Sequence, residues 1–526
     1  MRLTLAFVLL AACATSRAAP ISTESGLVDG VALPSGVRAW LGVPMAAPPV
    51  RELRWKPPQP APKWPGTFHA DRQAPMCLQA LRSRTMNHYF GNEATSEDCL
   101  YLNIWAPADA ERLPVIVWIY GGGFNVGSAS MANYSGENLA RDGVVRVNLA
   151  YRLGALGFLA HPDLTRESGY GASGNYGLMD LIAGLQWVQR NIAGFGGDPA
   201  NVTIVGQSAG SMAVSLLQAS PEARGLFSKA VGMSGSSFGE PANAVPLAQA
   251  EAAGLELQSA LGATSIEGMR DVAGDKIVAA SVPREPIVID GRFVIGARAA
   301  FEQRRHSDVP LMLGFTKDES FRSLGPVSSV RELEAAVQRT FPANAAAVLA
   351  AYTATDSASA SRAAADAGRD ASVGTQMASW ARAQAEFGKS PAYAYFFVRR
   401  QPYAPGITFI DHDPATAGAY HSGEIPYFLR TRDSLNLFRT TRVWEDVDAA
   451  LENDMAALLV SFARDGKPAS PRVRDWPEFA PARPRVVSLG EAIEIVGWPN
   501  YEALPLLASP AAGPAPRGPA DGRPRD

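Results

Sequence analysis

The residues Gly206-Gln207-Ser208-Ala209-Gly210 set one serine between two glycines. The β-branched and apolar run Val202-Thr203-Ile204-Val205 leads in, and small, apolar residues at helical spacing follow. A strand that turns directly into a helix through G-x-S-x-G forms a nucleophile elbow. The turn is tight enough to strain the serine backbone, and glycine on either side removes Cβ atoms that would collide with neighbouring chain. The Ser208 hydroxyl then stands at a helix N-terminus, where free N–H groups and the helix dipole favour developing negative charge. That combination suits nucleophilic attack. A glycine-softened loop with an ordinary serine is the bland alternative, and the flanking strand and helix patterns weigh against it.

A nucleophilic serine needs a base, and the base needs an orienting acid, in the chain order Ser, Asp or Glu, His. Of the six histidines, His69, His88 and His161 precede Ser208 and drop out. His306 sits in the charged stretch EQRRHSD, which reads as surface, and His412 in IDHDP, which reads as an exposed turn. His421 lies in AGAYHSGEIPYF, small residues and then an apolar run, as expected of a loop leaving the edge of a sheet. Spacing favours His421 over His412. The acid belongs just past a strand, and the apolar run VPLMLGF (309–315) is followed by Asp318 and Glu319. Both are placed to serve, and composition does not choose between them. Gly121-Gly122-Gly123 directly follows another apolar run and offers bare backbone N–H groups to an oxyanion. It lacks the lysine and Ser/Thr of a phosphate loop, so nucleotide binding is set aside. Loss of one oxyanion donor typically lowers turnover by about 10²–10³.

These residues require a scaffold of strands that end on one edge. YLNIWAP (101–107), LPVIVWIY (113–120), VVRVNLAYRLG (144–154), VTIV (202–205), VPLMLGF (309–315) and SPAYAYFFVRR (390–400) read as strands. NYGLMDLIAGLQWVQRNIAGF (175–195) carries Leu178, Ile182, Leu185 and Val188 at helical spacing, with Trp187 and Phe195 read as core. Alternating strands and helices predict an α/β fold with a mostly parallel sheet covered on both faces. Residues 241–283 and 329–388 read as alanine-rich helices, 486–498 as a terminal hairpin. The proline-dense stretch 41–66 reads as an extended surface segment pinned by Trp55 and Trp64, neither helix nor central strand. Tyr427 and Phe428 read as packing residues rather than lining.

With 526 residues, 47% apolar and 19% charged, the chain can bury a large core, and the motifs spread over one domain, residues 25–505. A net charge of −3 gives no electrostatic reason to expect nucleic acid. The N-terminus, MRLTLAFVLLAACATSRAAP, has an apolar run too short for a bilayer span and fits an export signal over residues 1–19. Leu10-Ala11-Ala12-Cys13 also resembles a lipobox, which would make residues 1–12 the signal and Cys13 a lipid anchor. Either reading predicts a periplasmic or secreted protein, an outer-membrane lipoprotein if bacterial and lipidated, with no transmembrane span. With Cys13 in the signal, Cys77 and Cys99 are an even pair in an exported protein, the setting of a disulfide, with two separate buried thiols as the bland alternative. Such a bond would close a loop of roughly 20 residues and contribute about 3 kcal/mol on the loop-entropy model. Residues 508–526, rich in Pro, Ala and Gly, read as a disordered tail. No metal-ligand cluster stands out, so neither a metal nor an organic cofactor is expected.

Taken together, LGVPMAAPPVRELRW, SEDCLYLNIW, YGGGF, NLAYRLG, GNYGLMD, FGGDP, VGQSAGS, MSGSS, GFTKDES and YHSGEIPYF, in that order, resemble the type-B carboxylesterases. These are the cholinesterase-like branch of the α/β-hydrolases. The resemblance covers about residues 25–500. It implies the α/β-hydrolase fold, a large twisted sheet with helices on both faces and inserted helical loops, and hydrolysis of small-molecule carboxylic esters. It assigns the acid to Glu319, the base to His421 and the nucleophile to Ser208. It implies an oxyanion hole from the N–H groups of Gly122, Gly123 and Ala209, a supporting role for Ser234 and a Cys77–Cys99 disulfide. Gln207 stands where many members carry glutamate, and Ser320 where glycine is usual. The stretch MNHYFGNEATSEDC offers Tyr89 and Phe90 but no tryptophan, which argues against choline-ester specificity. A family member that binds without catalysis is the alternative, as is an esterase specialised for a lipid, phenolic or toxin ester.

Overall fold

Eleven strands form the main sheet of the computed structural model, and seven consecutive ones in it run parallel. The structure describes residues 19–87, 94–238, 244–281, 287–321 and 324–507. The export segment with Cys13, the residues His88, Tyr89 and Phe90, and the tail 508–526 lie outside the described residues.

In chain order the sheet strands are β1 (Val31–Ala32), β2 (Val37–Pro44), β3 (Tyr101–Pro107), β4 (Leu113–Ile119), β5 (Val145–Leu149) and β6 (Gly197–Gln207). They continue as β7 (Lys229–Met233), β8 (Leu311–Thr316), β9 (Ala392–Phe397), β10 (Arg485–Leu489) and β11 (Ile493–Gly497). Across the sheet they lie β11-β10-β9-β8-β7-β6-β4-β5-β3-β2-β1. The parallel part spans β10 to β5, and antiparallel pairs close both edges, the expected 486–498 hairpin at one of them. The central strands are continuous apolar runs because both faces are covered; Val115 to Ile119 and Leu311 to Leu313 are wholly buried. Register brings strand ends level: Gly206 pairs with Ile119 on one side and Gly232 on the other. The turns after β4, β6, β7 and β8 therefore emerge side by side at the carboxyl edge, where parallel sheets bind ligands.

Helix α1 (Tyr176–Asn191) buries Leu178, Ile182, Leu185, Trp187 and Val188 on the sheet, and α2 (Ala209–Ala219) follows β6 directly. Residues 329–388 form α3 (Val330–Thr340), α4 (Ala345–Ala351) and α5 (Ser357–Arg369), then one π turn and α6 (Thr375–Phe387). The N-termini of α3 and α5 are capped by Ser329 and Asp356. Leu333, Val337, Val348, Ala360, Ala364 and Ala367 of α3–α5 pack into a small core of their own, separate from that of the sheet.

Three expectations need correction. Residues 41–44 finish strand β2, hydrogen-bonded to β3, and only the stretch after Pro44 wraps the surface. Proline tolerates this place because it falls at the end of a strand near the sheet edge. Trp55 and Trp64 do pin the rest, donating Nε1–H to Ala155 O at 2.8 Å and Leu27 O at 2.9 Å. His306 is buried, not on the surface: its ring stacks on Phe301 at 3.8 Å, and burial lowers its pKa. His412 is half-buried against Tyr403, Phe409 and Tyr420, with its ring hydrogen-bonded to the Tyr403 hydroxyl; the aromatic neighbours are invisible in IDHDP. Tyr427 and Phe428 are buried, and the Tyr427 hydroxyl donates to Asp448 at 2.7 Å. Cys77 and Cys99 form a disulfide, Cα atoms 4.9 Å apart. No helix among the described residues is long and apolar enough to cross a membrane.

Candidate active site

Ser208 occupies the step between β6 and α2 at φ 57°, ψ −123°, a conformation that side chains rarely adopt. Close packing enforces it. A Cβ on Gly206 would fall 2.2 Å from Gly210 O, and one on Gly210 would fall 2.0 Å from Ile119 O. Only glycine fits at both places, which explains the motif. Ser208 N–H donates to Met233 O at 2.8 Å, so the turn is stitched to the end of β7. The triglycine after β4 crosses in front: a Cβ on Gly121 would lie 2.9 Å from Ser208 Cβ. Gly122 and Gly123 follow at φ +118° and +64°. Ala209 is the first residue of α2, so its N–H is one of those a helix leaves without an internal acceptor.

Glu319 lies past the end of β8, with its side chain fully buried. Its Oε1 accepts from Thr316 N–H at 2.7 Å and from the Ser234 hydroxyl at 2.8 Å. Its Oε2 accepts from His421 Nδ1. The carboxylate is thus oriented by three donors, and it fixes which imidazole nitrogen carries the proton. Ser234 directly follows β7 and, like Ser208 one strand away, has a positive φ, 54°, with its N–H on Gly314 O at 2.8 Å. Asp318, the other sequence candidate, points away from the ring and accepts Ala419 N–H at 2.8 Å. The His421 ring remains 27% exposed and meets the edge of Phe321, itself 61% exposed, at 4.5 Å.

Sequence reasoning passed over two contacts: it missed Glu424, and it named Gln207 only as a departure from the family pattern. Glu424 is wholly buried behind Glu319; its Oε1 lies 3.3 Å from Ser234 Oγ and accepts from Tyr395 Oη at 3.5 Å. Burial, reinforced by the charge of Glu319, pushes its pKa up to about 8, so near neutral pH it holds its proton. The signal was present as His421-Ser422-Gly423-Glu424, an acid leading into the apolar run IPYF. The second is Gln207, whose amide N–H donates to His421 Nε2 at 3.0 Å. The residue before the serine thereby occupies the nitrogen that a serine hydroxyl would use, and no hydrogen bond joins Ser208 Oγ to the ring among the described residues. Nothing in the local sequence announces that contact, because the two are 214 positions apart.

The described residues contain no group of three or more His, Cys, Asp or Glu side chains that could hold a metal ion. What the edge presents is a strained serine, an imidazole, a buried carboxylate and backbone amides, the parts of acyl transfer. Known proteins resemble this chain in sequence and in fold. The chain is 37% identical over 493 residues, 90% of its length and 86% of the relative's, to the fumonisin B1 esterase of Sphingopyxis macrogoltabida. It is 30% identical over 502 residues, 92% and 97% of the two chains, to the para-nitrobenzyl esterase of Bacillus subtilis. A mouse cholinesterase matches at 45% over 228 residues, 41% of this chain and 37% of that one. A solved PNB esterase structure superposes with a TM-score of 0.78 at 29% identity, over 93% of this chain and 99% of that one. Because the model of the carboxylesterase family matches residues 17–497, nearly the whole folded chain, the protein belongs to that family and shares its α/β-hydrolase fold.

Proposed function

We propose that the protein is an exported serine carboxylesterase acting through an acyl-enzyme. Ser208 Oγ attacks the ester carbonyl. His421 Nε2 leaves Gln207, takes the serine proton and returns it to the departing alcohol. Glu319 holds the Nδ1–H tautomer and stabilises the imidazolium. The N–H groups of Gly122, Gly123 and Ala209 receive the oxyanion, and water activated by His421 then releases the acid. Ser234 supports Glu319, and Glu424 stays neutral behind it. One observation carries this reading: the imidazole bonded to Glu319 rests on Gln207, the residue adjoining a serine held in the left-handed elbow.

The test is Ser208→Ala on the purified full chain. p-Nitrophenyl ester hydrolysis should fall by about 10⁴-fold or more with the fold intact, and fluorophosphonate labelling should vanish. Turnover within tenfold of wild type would remove Ser208 from its role. The relatives' names supply two substrates to compare, fumonisin B1 and a p-nitrobenzyl ester, against a series of plain acyl esters. Export over residues 1–19, or lipidation at Cys13, is tested by mass spectrometry of the mature N-terminus.

A further inference from the structure

Asp318 faces away from the imidazole yet touches the chain that carries it. Its Oδ2 accepts Ala419 N–H at 2.8 Å, and its own N–H donates to Ala419 O at 3.0 Å, two residues before His421. The approach is close enough that a Cβ on Gly418 would fall 2.2 Å from Oδ2. The other oxygen, Oδ1, accepts from Arg362 Nη1 at 2.5 Å. Arg362 sits on α5 and is braced by Asp366 through contacts of 2.7 and 3.0 Å. Seven residues on, Arg369 donates to Lys317 O at 3.0 Å, braced in turn by Asp366 and Asp370. Helix α5, whose apolar face belongs to the small separate core, therefore sends two guanidinium groups to the two residues directly before Glu319.

We propose that Asp318, held by Arg362, is a positioning residue: it ties the loop carrying Glu319 to the loop carrying His421 and keeps their contact aligned during turnover. This rests on the reading of Ser208, Glu319 and His421 given above. Glu319 and His421 are 102 positions apart and hang on different loops. Two loops anchored separately fluctuate separately, and a displacement of about 1 Å in catalytic groups can lower rate by about 10². A purely stabilising role is disfavoured by exposure. The Arg362 side chain is 40% and that of Asp318 20% exposed, and a half-solvated ion pair contributes little to folding.

The experiment measures kcat and KM for p-nitrophenyl esters, with active sites counted by a fluorophosphonate probe and Tm recorded beside them. Labelling of the wild type at Ser208 comes first, and its absence would bring down the underlying reading before Asp318 is tested. Asp318→Ala should lower kcat per titrated site about tenfold, with KM within about twofold. Arg362→Met, and Asp318→Asn, which keeps an acceptor for Ala419 but drops the charge, should each lower it about threefold. The double variant Asp318→Ala/Arg362→Met should be no worse than Asp318→Ala, because Arg362 acts through Asp318. Should Asp318→Ala fail to fold, the Asn and Met variants carry the test. Unchanged kcat per site in those two, an effect confined to KM or Tm, or additive losses in the double variant would overturn the proposal.

Discussion

The turn after β6 and the turn after β8 stand two strands apart in one sheet, and they hold their functional side chains by different means. The Ser208 turn is fixed by backbone crowding: glycine at 206 and 210, and a strand neighbour at Ile119, leave one path for the chain. The Glu319 turn is fixed by side chains that arrive from elsewhere, namely Ser234 from β7, His421 from a later loop, and Arg362 and Arg369 from α5. The first arrangement has almost no tolerance, because repulsion at such distances rises steeply. The second is a network whose members can be removed singly, with graded losses.

The largest effect should come from crowding the first turn. Gly206→Ala places a methyl 2.2 Å from Gly210 O, setting strand β6 against the first turn of α2. We expect destabilisation of about 3 kcal/mol or more, with little folded enzyme recovered. A well-folded, active Gly206→Ala protein, judged by circular dichroism and ester turnover, would show that crowding does not fix the elbow.

Next comes Glu319→Gln, which keeps the shape of the second turn but removes the charge. It should leave Tm within a few degrees while kcat falls by about 10⁴-fold, since the amide favours the wrong imidazole tautomer. A loss below tenfold would mean that the carboxylate does not orient the ring.

The smallest effect is read in pH rather than rate. Glu424 has its pKa raised from 4.5 to about 8 by burial and by Glu319, so the folded chain keeps a proton that the unfolded chain releases. Its protonated form is favoured in the fold, so the stability it contributes is complete below pH 4.5, declines up to about pH 8 and then levels. Glu424→Gln, uncharged at every pH, should flatten the fall of stability between about pH 5 and 8 in urea titrations. An unchanged slope between pH 5 and 8 would place the titration elsewhere.

The comparison also explains what could be read in advance. The β6–Ser208–α2 turn is legible because its constraint is local: an apolar strand, two glycines and a helix lie within eighteen residues of sequence (202–219). The alternation of strands and helices announced the parallel sheet for the same reason, since burial on both faces demands continuous apolar runs. His306 misled because EQRRHSD is charged along the chain, while in space its ring meets Phe301. Asp318 and Glu319 could not be told apart by composition, because both follow one strand and only the direction of each side chain differs.

The amino-acid sequence by itself determined the strand sequence, the strained serine and the glycine-lined carboxyl edge, because these depend on residues that are neighbours in the chain. Only the tertiary structure decided that Gln207 rests on His421, that Glu424 lies buried behind Glu319 with its pKa raised, and that α5 grips the residues before it. Those contacts join positions from 44 to 214 apart. Hydrogen bonds over such separations follow from the way the sheet brings its loops to one edge, and no local pattern encodes them.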